Sequence, residues 1–392
     1  MIPRMKRRGI GLALSGGGYR AALFHLGSLR RLFEIGALQD PEFRTISSVS
    51  GGSLVAAAVA QGIVSNGGAW PADLDAWKRL VETPLRSLTR ADLRTGVLAR
   101  KYLLPWRFFN RDYAVEAFAA RLRERLTSLR LRDLPASPAF AICCTDLAFG
   151  ANFVFSRDRM GSWLAGTMTP PDDFPLALAA ATSAAFPPLF GPLRLRSLAS
   201  QLKGGKASEA ERRAGHADLR LSDGGVYDNL GVEPIWKSHA VVLVSDGSGI
   251  FQGETDRGLF WRIARYQGVQ EEQARRLRRR SLRIGFKKGT LRGATWSVGG
   301  VRGPGYSRGF AREVLANIRT DLDAFSDVEA GVLMNHGYLS TAAAMASCVP
   351  EVGRGDVPVT APFPELVPAE VDEPSLRIAL RESRMRRTFG RG

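Results

Sequence analysis

A chain of 392 residues lies between one large domain and two ordinary ones, and 45% hydrophobic with 24% charged residues is a globular composition with material for a sizeable core. Three cysteines, Cys143, Cys144 and Cys348, exclude a disulfide framework and read as core thiols of a reducing compartment. The net charge of +17 bears on partners rather than fold. An anionic membrane surface and nucleic acid are the two candidate partners, beside a plain solvated basic surface, and no nucleic-acid motif or stacking aromatics accompany the arginines.

Near its start the chain carries Met5-Lys6-Arg7-Arg8 and then a short apolar stretch, which imitates a signal peptide. The apolar part is too short and runs straight into Gly16-Gly17-Gly18, so it reads as the first strand of the fold. No run of about 18 apolar residues follows, and no transmembrane helix is expected. The expected location is cytoplasmic, with peripheral contact at an anionic membrane.

Ile10–Leu14 reads as a buried strand ending in the glycine loop. Tyr19–Ile35 has helical periodicity, with Ala22, Leu26, Leu29 and Phe33 on one face and Gly36 as a C-cap. Arg44–Val49 is a second strand, and Leu54–Gly62 a helix of small residues. This alternation predicts an α/β layered fold with a mainly parallel sheet. Residues 70–135 mix Trp70, Trp77, Trp106, Phe108 and Phe109 with arginines and include a helix near Tyr113–Leu126, which suggests an insertion or cap. Pro138–Thr145 is a strand, Phe153–Ser156 its hairpin partner, Gly161–Asp173 a loop and Leu176–Ala185 a short helix. Ser197–Ala214 reads as a polar mobile loop, and Leu219–Leu221 and Ala240–Ser245 as strands. Leu259–Arg280, Phe310–Ala324 and Val328–Ala346 read as helices. Arg275 to Arg292 is a basic run without an acid, and the tail adds Arg381, Arg384, Arg386, Arg387 and Arg391. The expected organisation is a catalytic domain over 9–249, a helical extension over 250–347 packed on it, and a Pro-rich, basic tail over 348–392.

The chemistry centres on Ser50. Ile46-Ser47-Ser48-Val49-Ser50-Gly51-Gly52 reads as a strand end, a serine and two glycines before a helix, the arrangement of a nucleophile elbow. The tight turn needs small residues two before and two after the serine, and Ser48 and Gly52 meet that need. The helix starting near Ser53 would aim its positive end at Ser50. A plain Ser/Gly turn without chemistry is the competing reading.

Gly16, Gly17 and Gly18 would expose consecutive N–H groups, which can hold a phosphate or an oxyanion. No Gly-Lys-Ser/Thr follows, which excludes a Walker loop, and an oxyanion hole fits best ahead of an elbow. Arg20 is a candidate contact for an anionic substrate group, or the partner of a carboxylate inside the fold. Asp223, in Leu221-Ser222-Asp223-Gly224-Gly225, places an acid at a strand end, with Asp228 as its nearest competitor.

These segments together resemble a patatin-like phospholipase. The resemblance rests on Ser15-Gly16-Gly17-Gly18-Tyr19-Arg20-Ala21, Ser48-Val49-Ser50-Gly51-Gly52 and Asp223-Gly224-Gly225 in that order. Two linking segments, Cys144-Thr145-Asp146-Leu147 and Ala181-Thr182-Ser183-Ala184-Ala185-Phe186-Pro187-Pro188-Leu189-Phe190, are also similar to the family's. Departures are Ser15 where an acid is common, Ala21 where glycine is common, and Ser48. The resemblance covers about residues 9–245. It implies a three-layer α/β/α patatin-like fold and a lipid acyl hydrolase with a Ser50–Asp223 dyad. It further implies an acyl-enzyme intermediate, the Gly16–Gly18 loop as oxyanion hole, and a lipid ester as substrate.

A histidine-dependent triad is the alternative mechanism. Of His25, His216, His239 and His336, only the last two follow Asp223 in the order such a triad requires. His336 sits in what reads as a polar break in a helix. A general carboxylesterase on neutral esters would carry the same motifs, and a non-catalytic basic binding protein is the reading from another class. No cofactor is implied, and neither cysteine nor calcium-loop spacing suggests a metal site. Trp106, Phe108 and Phe109 are candidates for an acyl channel, a membrane-facing surface or the core of the cap.

Overall fold

The computed structural model of the protein describes residues 7–103, 106, 110, 112–187 and 190–381. Its sheet begins with β1 (Ile10–Leu14), every residue of which is buried. The glycine loop then leads to helix α1 (Gly18–Glu34), followed by β2 (Phe43–Val49) and α2 (Gly51–Ser65). After an insertion of short helices and α3 (Tyr113–Arg125) come β3 (Ala139–Asp146), β4 (Ala151–Phe155), β5 (Met160–Ser162) and β6 (Gly166–Met168). Helix α4 (Leu176–Ser183), β7 (Leu193–Arg194), α5 (Glu209–Ala217), β8 (Arg220–Asp223) and β9 (Val241–Asp246) complete the middle of the chain. The last part supplies α6 (Leu259–Lys287), β10 (Arg292–Ser297), α7 (Arg308–Glu313) and α8 (Asp327–Cys348).

The strand order is β10-β9-β1-β2-β3-β4-β5-β6, with β8 and β7 off this path. The pairs from β10 to β3 are parallel. The β4, β5 and β6 pairings are antiparallel. Apolar strands suit such a sheet because helices cover both faces. Leu12, Leu14, Leu243 and Trp296 enter the main core with residues of α1, α2 and α8. Ala13, Val242 and Val244 pack on the other face with Leu230, Ile235 and Leu282 of α6. The architecture is therefore three-layered, α/β/α, as the sequence predicts.

Helices α1 and α8 cross closely because glycines meet backbone. A Cβ at Gly27 would lie 1.9 Å from the Met334 carbonyl oxygen, and one at Gly337 would lie 1.9 Å from that of Phe24. Gly337 is thus a packing residue, and the expected polar break around His336 is instead continuous helix.

Other expectations need correction. Gly161–Asp173 contains two three-residue strands rather than loop alone. Ser197–Ala214 is not loop throughout: α5 begins at Glu209 with a reciprocal cap between Ser208 and Glu211. The helix expected over Phe310–Ala324 stops at Glu313, followed by a single 3-10 turn at Leu315–Asn317. Strand β10 follows the basic run and adds an edge to the sheet. The basic run itself finds acids: Arg275 and Arg279 lie 3.8 and 3.3 Å from Asp246, and Arg278 lies 3.2 Å from Asp228. Cys143 and Cys144 are buried as expected, but Cys348 is exposed. Trp106 is 69% exposed, so it is not core of the insertion, and Phe108 and Phe109 lie outside the described residues. Among the described residues no helix is long and apolar enough to cross a membrane.

Candidate active site

The parallel strands end on one edge of the sheet, where open α/β folds gather their ligands. At the end of β2, Ser50 has φ 51° and is the only non-glycine residue with positive φ among those described. A side chain in this region is strained unless its surroundings hold it there. Helix α2 starts at the next residue, and its first turn faces the glycine loop. A Cβ at Gly51 would lie 2.1 Å from the Gly18 carbonyl oxygen, and one at Gly52 would lie 2.4 Å from that of Leu14. Both glycines are therefore required by close approach of the two loops. Ser48 is buried and accepts a 3.1 Å hydrogen bond from the Ser53 hydroxyl, so serine fits where glycine is usual.

Ser183, at the end of α4, fixes the turn. Its hydroxyl accepts from the Ser50 N–H at 3.0 Å and donates to the Cys143 carbonyl at 2.6 Å. The same short segment accepts from the Asp223 loop: Gly224 N–H donates to Ser183 O at 3.1 Å, and Asp223 N–H to Ala185 O at 3.3 Å.

Strand register brings Asp223 to Ser50. Val49 of β2 pairs with Cys143 of β3, and Asp223 of β8 pairs with Cys144. The other edge of β3 is already paired with β4 over Ile142–Asp146. Strand β8 therefore takes over the β2 edge where β2 turns away, and Ser50 and Asp223 meet at that handover. One Asp223 oxygen, Oδ1, accepts from Gly225 N–H at 2.7 Å. The other, Oδ2, is buried without a hydrogen-bond partner among the described residues. Burial pushes this carboxyl up to about 7, against the pull of Gly225 N–H and the Ser50 hydroxyl, and Glu271 adds to the rise. The Ser50 hydroxyl is thus close enough to affect the carboxyl, although it forms no hydrogen bond of ordinary geometry with Oδ2. Such contacts commonly tighten only with substrate present.

The glycine loop needs one correction. Gly16 N–H donates to the Asn229 carbonyl at 2.9 Å, so it is not an open donor. Gly17 and Gly18 N–H have no acceptor among the described residues, at the N-terminus of α1. Gly17 and Gly18 border a cavity of about 470 Å³ that also reaches Ser50 and Asp223. Ala184, Phe186, Pro187, Phe190 and Leu322 give it an apolar wall. Arg20 borders it too. Its Nε and Nη1 donate to the carbonyls of Gly247, Ala316 and Ile318, rather than to the carboxylate expected of a structural role. Its Nη2 has no acceptor among the described residues.

The sequence reading missed Glu271, Asn229 and the wall of Phe186, Pro187 and Phe190 as cavity residues. The wall was visible as part of the Ala181–Phe190 segment, but nothing local marks Glu271 within a long polar helix. Burial raises the Glu271 carboxyl above its ordinary value. Asp228 does not border the cavity. It accepts from the N–H groups of Leu230, Val232 and Glu233 and caps that turn.

No histidine borders the cavity. His336 Nε2 bonds the Val298 carbonyl at 3.0 Å, and burial lowers its pKa to about 4. His25 bonds Ser245 Oγ at 2.7 Å and the Ser15 carbonyl at 2.9 Å, and burial lowers it likewise to about 4. His239 bonds Thr45 Oγ1 and His216 the Ala165 carbonyl. Among the described residues no group of three or more His, Cys, Asp or Glu is arranged to hold a metal ion.

The sequence has similarities elsewhere. No curated protein is close enough in sequence to count as a match. Among solved structures, human GIVD cytosolic phospholipase A2 is 15% identical at a TM-score of 0.39, over 62% of this chain and 43% of that one. VipD from Legionella pneumophila is 12% identical at a TM-score of 0.34, over 87% of this chain and 67% of that one. The chain thus spans less than half the length of the human enzyme it matches. At such scores these likenesses add nothing to the assignment. The family model for patatin-like phospholipase, by contrast, matches residues 12–236, which hold the glycine loop, the Ser50 elbow and Asp223. The chain belongs to the patatin-like phospholipase family.

Proposed function

We propose that the protein hydrolyses carboxylic esters of phospholipids or other lipids, with Ser50 as nucleophile and Asp223 as base. The observation that carries this reading is the buried Asp223 Oδ2, unpartnered beside Ser50 in a cavity with two open N–H donors and an apolar wall. Asp223 takes the Ser50 Oγ proton as Oγ bonds to the ester carbonyl carbon. The N–H groups of Gly17 and Gly18 hold the developing oxyanion. Collapse breaks the ester C–O bond, and Asp223 returns the proton to the leaving alcohol. Water then gives a proton to Asp223 while its oxygen attacks the acyl-enzyme, and collapse releases the fatty acid and reprotonates Ser50. Phe186, Phe190 and Leu322 would contact the acyl chain, and the free Nη2 of Arg20 an anionic group of the substrate.

Contact with an anionic membrane belongs to the same proposal. Leu259, Ile263 and Tyr266 follow one another at helical spacing on α6, each more than half exposed, with Arg262 and Arg265 beside them. Apolar residues flanked by arginines suit the boundary of an anionic bilayer. Binding to vesicles should rise with anionic lipid content and fall with salt.

The test is hydrolysis of phospholipid vesicles and of a short-chain chromogenic ester by wild type, Ser50→Ala and Asp223→Asn. Loss of both activities in both folded variants is expected. Hydrolysis of the soluble ester alone by wild type would instead favour a general carboxylesterase.

A further inference from the structure

Strand β10 is the open edge of the sheet: it pairs with β9 on one side, and no described strand pairs with the other. Among the described residues, no hydrogen bond reaches the backbone of Gly293–Trp296 from that free side, and at its end the Ser297 carbonyl accepts from Gly300 N–H at 2.9 Å. An unpaired edge of this kind is a template for another extended chain. Here the edge forms the floor of a groove of about 820 Å³, which runs past Arg292–Ser297 between α6 on one face of the sheet and α7 with α8 on the other.

The groove walls are cationic on both sides. Arg283 and Lys287 project from α6, and Arg308 and Arg312 from α7. All four are exposed, and none has an ion pair among the described residues. Arg279 and Arg292, also on the lining, are engaged by Asp246 and Glu351. An added strand projects alternate side chains towards the two faces of the sheet. Both rows would therefore meet uncompensated positive charge.

We infer that this groove docks an acidic, extended segment of a partner protein, which adds to the sheet beside β10. Backbone hydrogen bonds along the edge would supply affinity, and carboxylates facing the two basic walls would supply selectivity. A strand of six residues, the length of β10, spans about 20 Å. A second copy of this chain is a poor occupant, because a net charge of +17 repels it. The chain's own last residues are poor occupants too, since they carry Arg384, Arg386, Arg387 and Arg391. Charged residues near an edge can also serve only to prevent pairing, and the experiment separates the two roles.

The probe is a fluorescein-labelled dodecapeptide of alternating glutamate and threonine, titrated with full-length protein and followed by anisotropy. Saturable binding is expected, weakening with salt. Hydrogen exchange on the wild-type complex should slow at the outward-facing amides of Gly293, Thr295 and Ser297. The same peptide N-methylated at alternate residues along its pairing edge should bind at least tenfold more weakly. So should the unmodified peptide with Arg283→Gln/Arg312→Gln, a surface pair whose folding is checked by melting temperature. No binding of the peptide, or equal binding of the N-methylated form, would overturn the inference. So would inorganic polyphosphate binding while the peptide does not, which would make the groove an anion site. None of these readouts depends on ester hydrolysis.

Discussion

The N–H of Ser50 donates to the hydroxyl of Ser183 over 3.0 Å, and that hydroxyl in turn donates to the Cys143 carbonyl. The strained residue of the elbow is therefore held from a helix that also bonds the Asp223 loop through Ser183 O and Ala185 O. Both halves of the proposed dyad hang on one short segment.

Replacing Ser183 with alanine removes that acceptor and leaves a buried N–H unpaired, which costs about 1–3 kcal/mol. The expected outcome for Ser183→Ala is a fall in kcat of about tenfold to a hundredfold from a misplaced nucleophile. KM should change little. Steady-state kinetics with thermal melts on the same preparation check this.

The glycine loop tolerates no side chain at Gly18. The residue has φ 56°, and a Cβ there would lie 1.5 Å from the Thr320 carbonyl oxygen. Gly18→Ala should displace the loop or the Thr320 segment and abolish hydrolysis even where circular dichroism shows folded protein.

The pH dependence follows from Asp223, which must be ionised to act as base. Its carboxyl is pushed up to about 7, above the ordinary 3.8. The kcat/KM profile should rise about tenfold per pH unit below that value and level off above it. Because the negative charge of Glu271 contributes to the rise, Glu271→Gln should move the acid limb to lower pH. A profile unchanged by Glu271→Gln would contradict the electrostatic link between the two carboxyls.

Stability carries the opposite sign. A carboxyl whose folded pKa lies above its unfolded one binds its proton more tightly in the native state. It costs stability as pH rises from about 4 to about 7, by at most ~4 kcal/mol. Asp223→Asn should therefore melt above wild type at pH 8, and the difference should close as pH falls to about 4. Differential scanning calorimetry across that range measures it.

Much of this was legible in the chain. Strands β1, β2 and β9 announce themselves as short apolar runs ended by glycine or a turn, and the elbow and Asp223 lie at such ends. The α5 cap was also legible, because Ser208 and Glu211 have the spacing of a capping box inside a stretch that otherwise reads as loop. Strand β10 was not legible, since Arg-Gly-Ala-Thr-Trp-Ser at a sheet edge buries only Ala294 and Trp296 and alternates too briefly to stand out. Gly16 could not be separated from Gly17 and Gly18, because its N–H is engaged by Asn229, more than two hundred residues away. Glu271 is brought to the cavity by tertiary packing alone. The same holds for the raised Asp223 carboxyl, which depends on complete burial that no local pattern records.

The most direct test of the central claim is covalent labelling. Wild-type protein would be treated with an alkyl fluorophosphonate, and the adduct located by peptide mass mapping while residual hydrolysis is followed. The account predicts one adduct, on Ser50, formed in step with loss of activity, absent in Ser50→Ala and slow in Asp223→Asn. An active protein that carries its adduct on another residue, or keeps hydrolysing esters with Ser50 fully labelled, would contradict it.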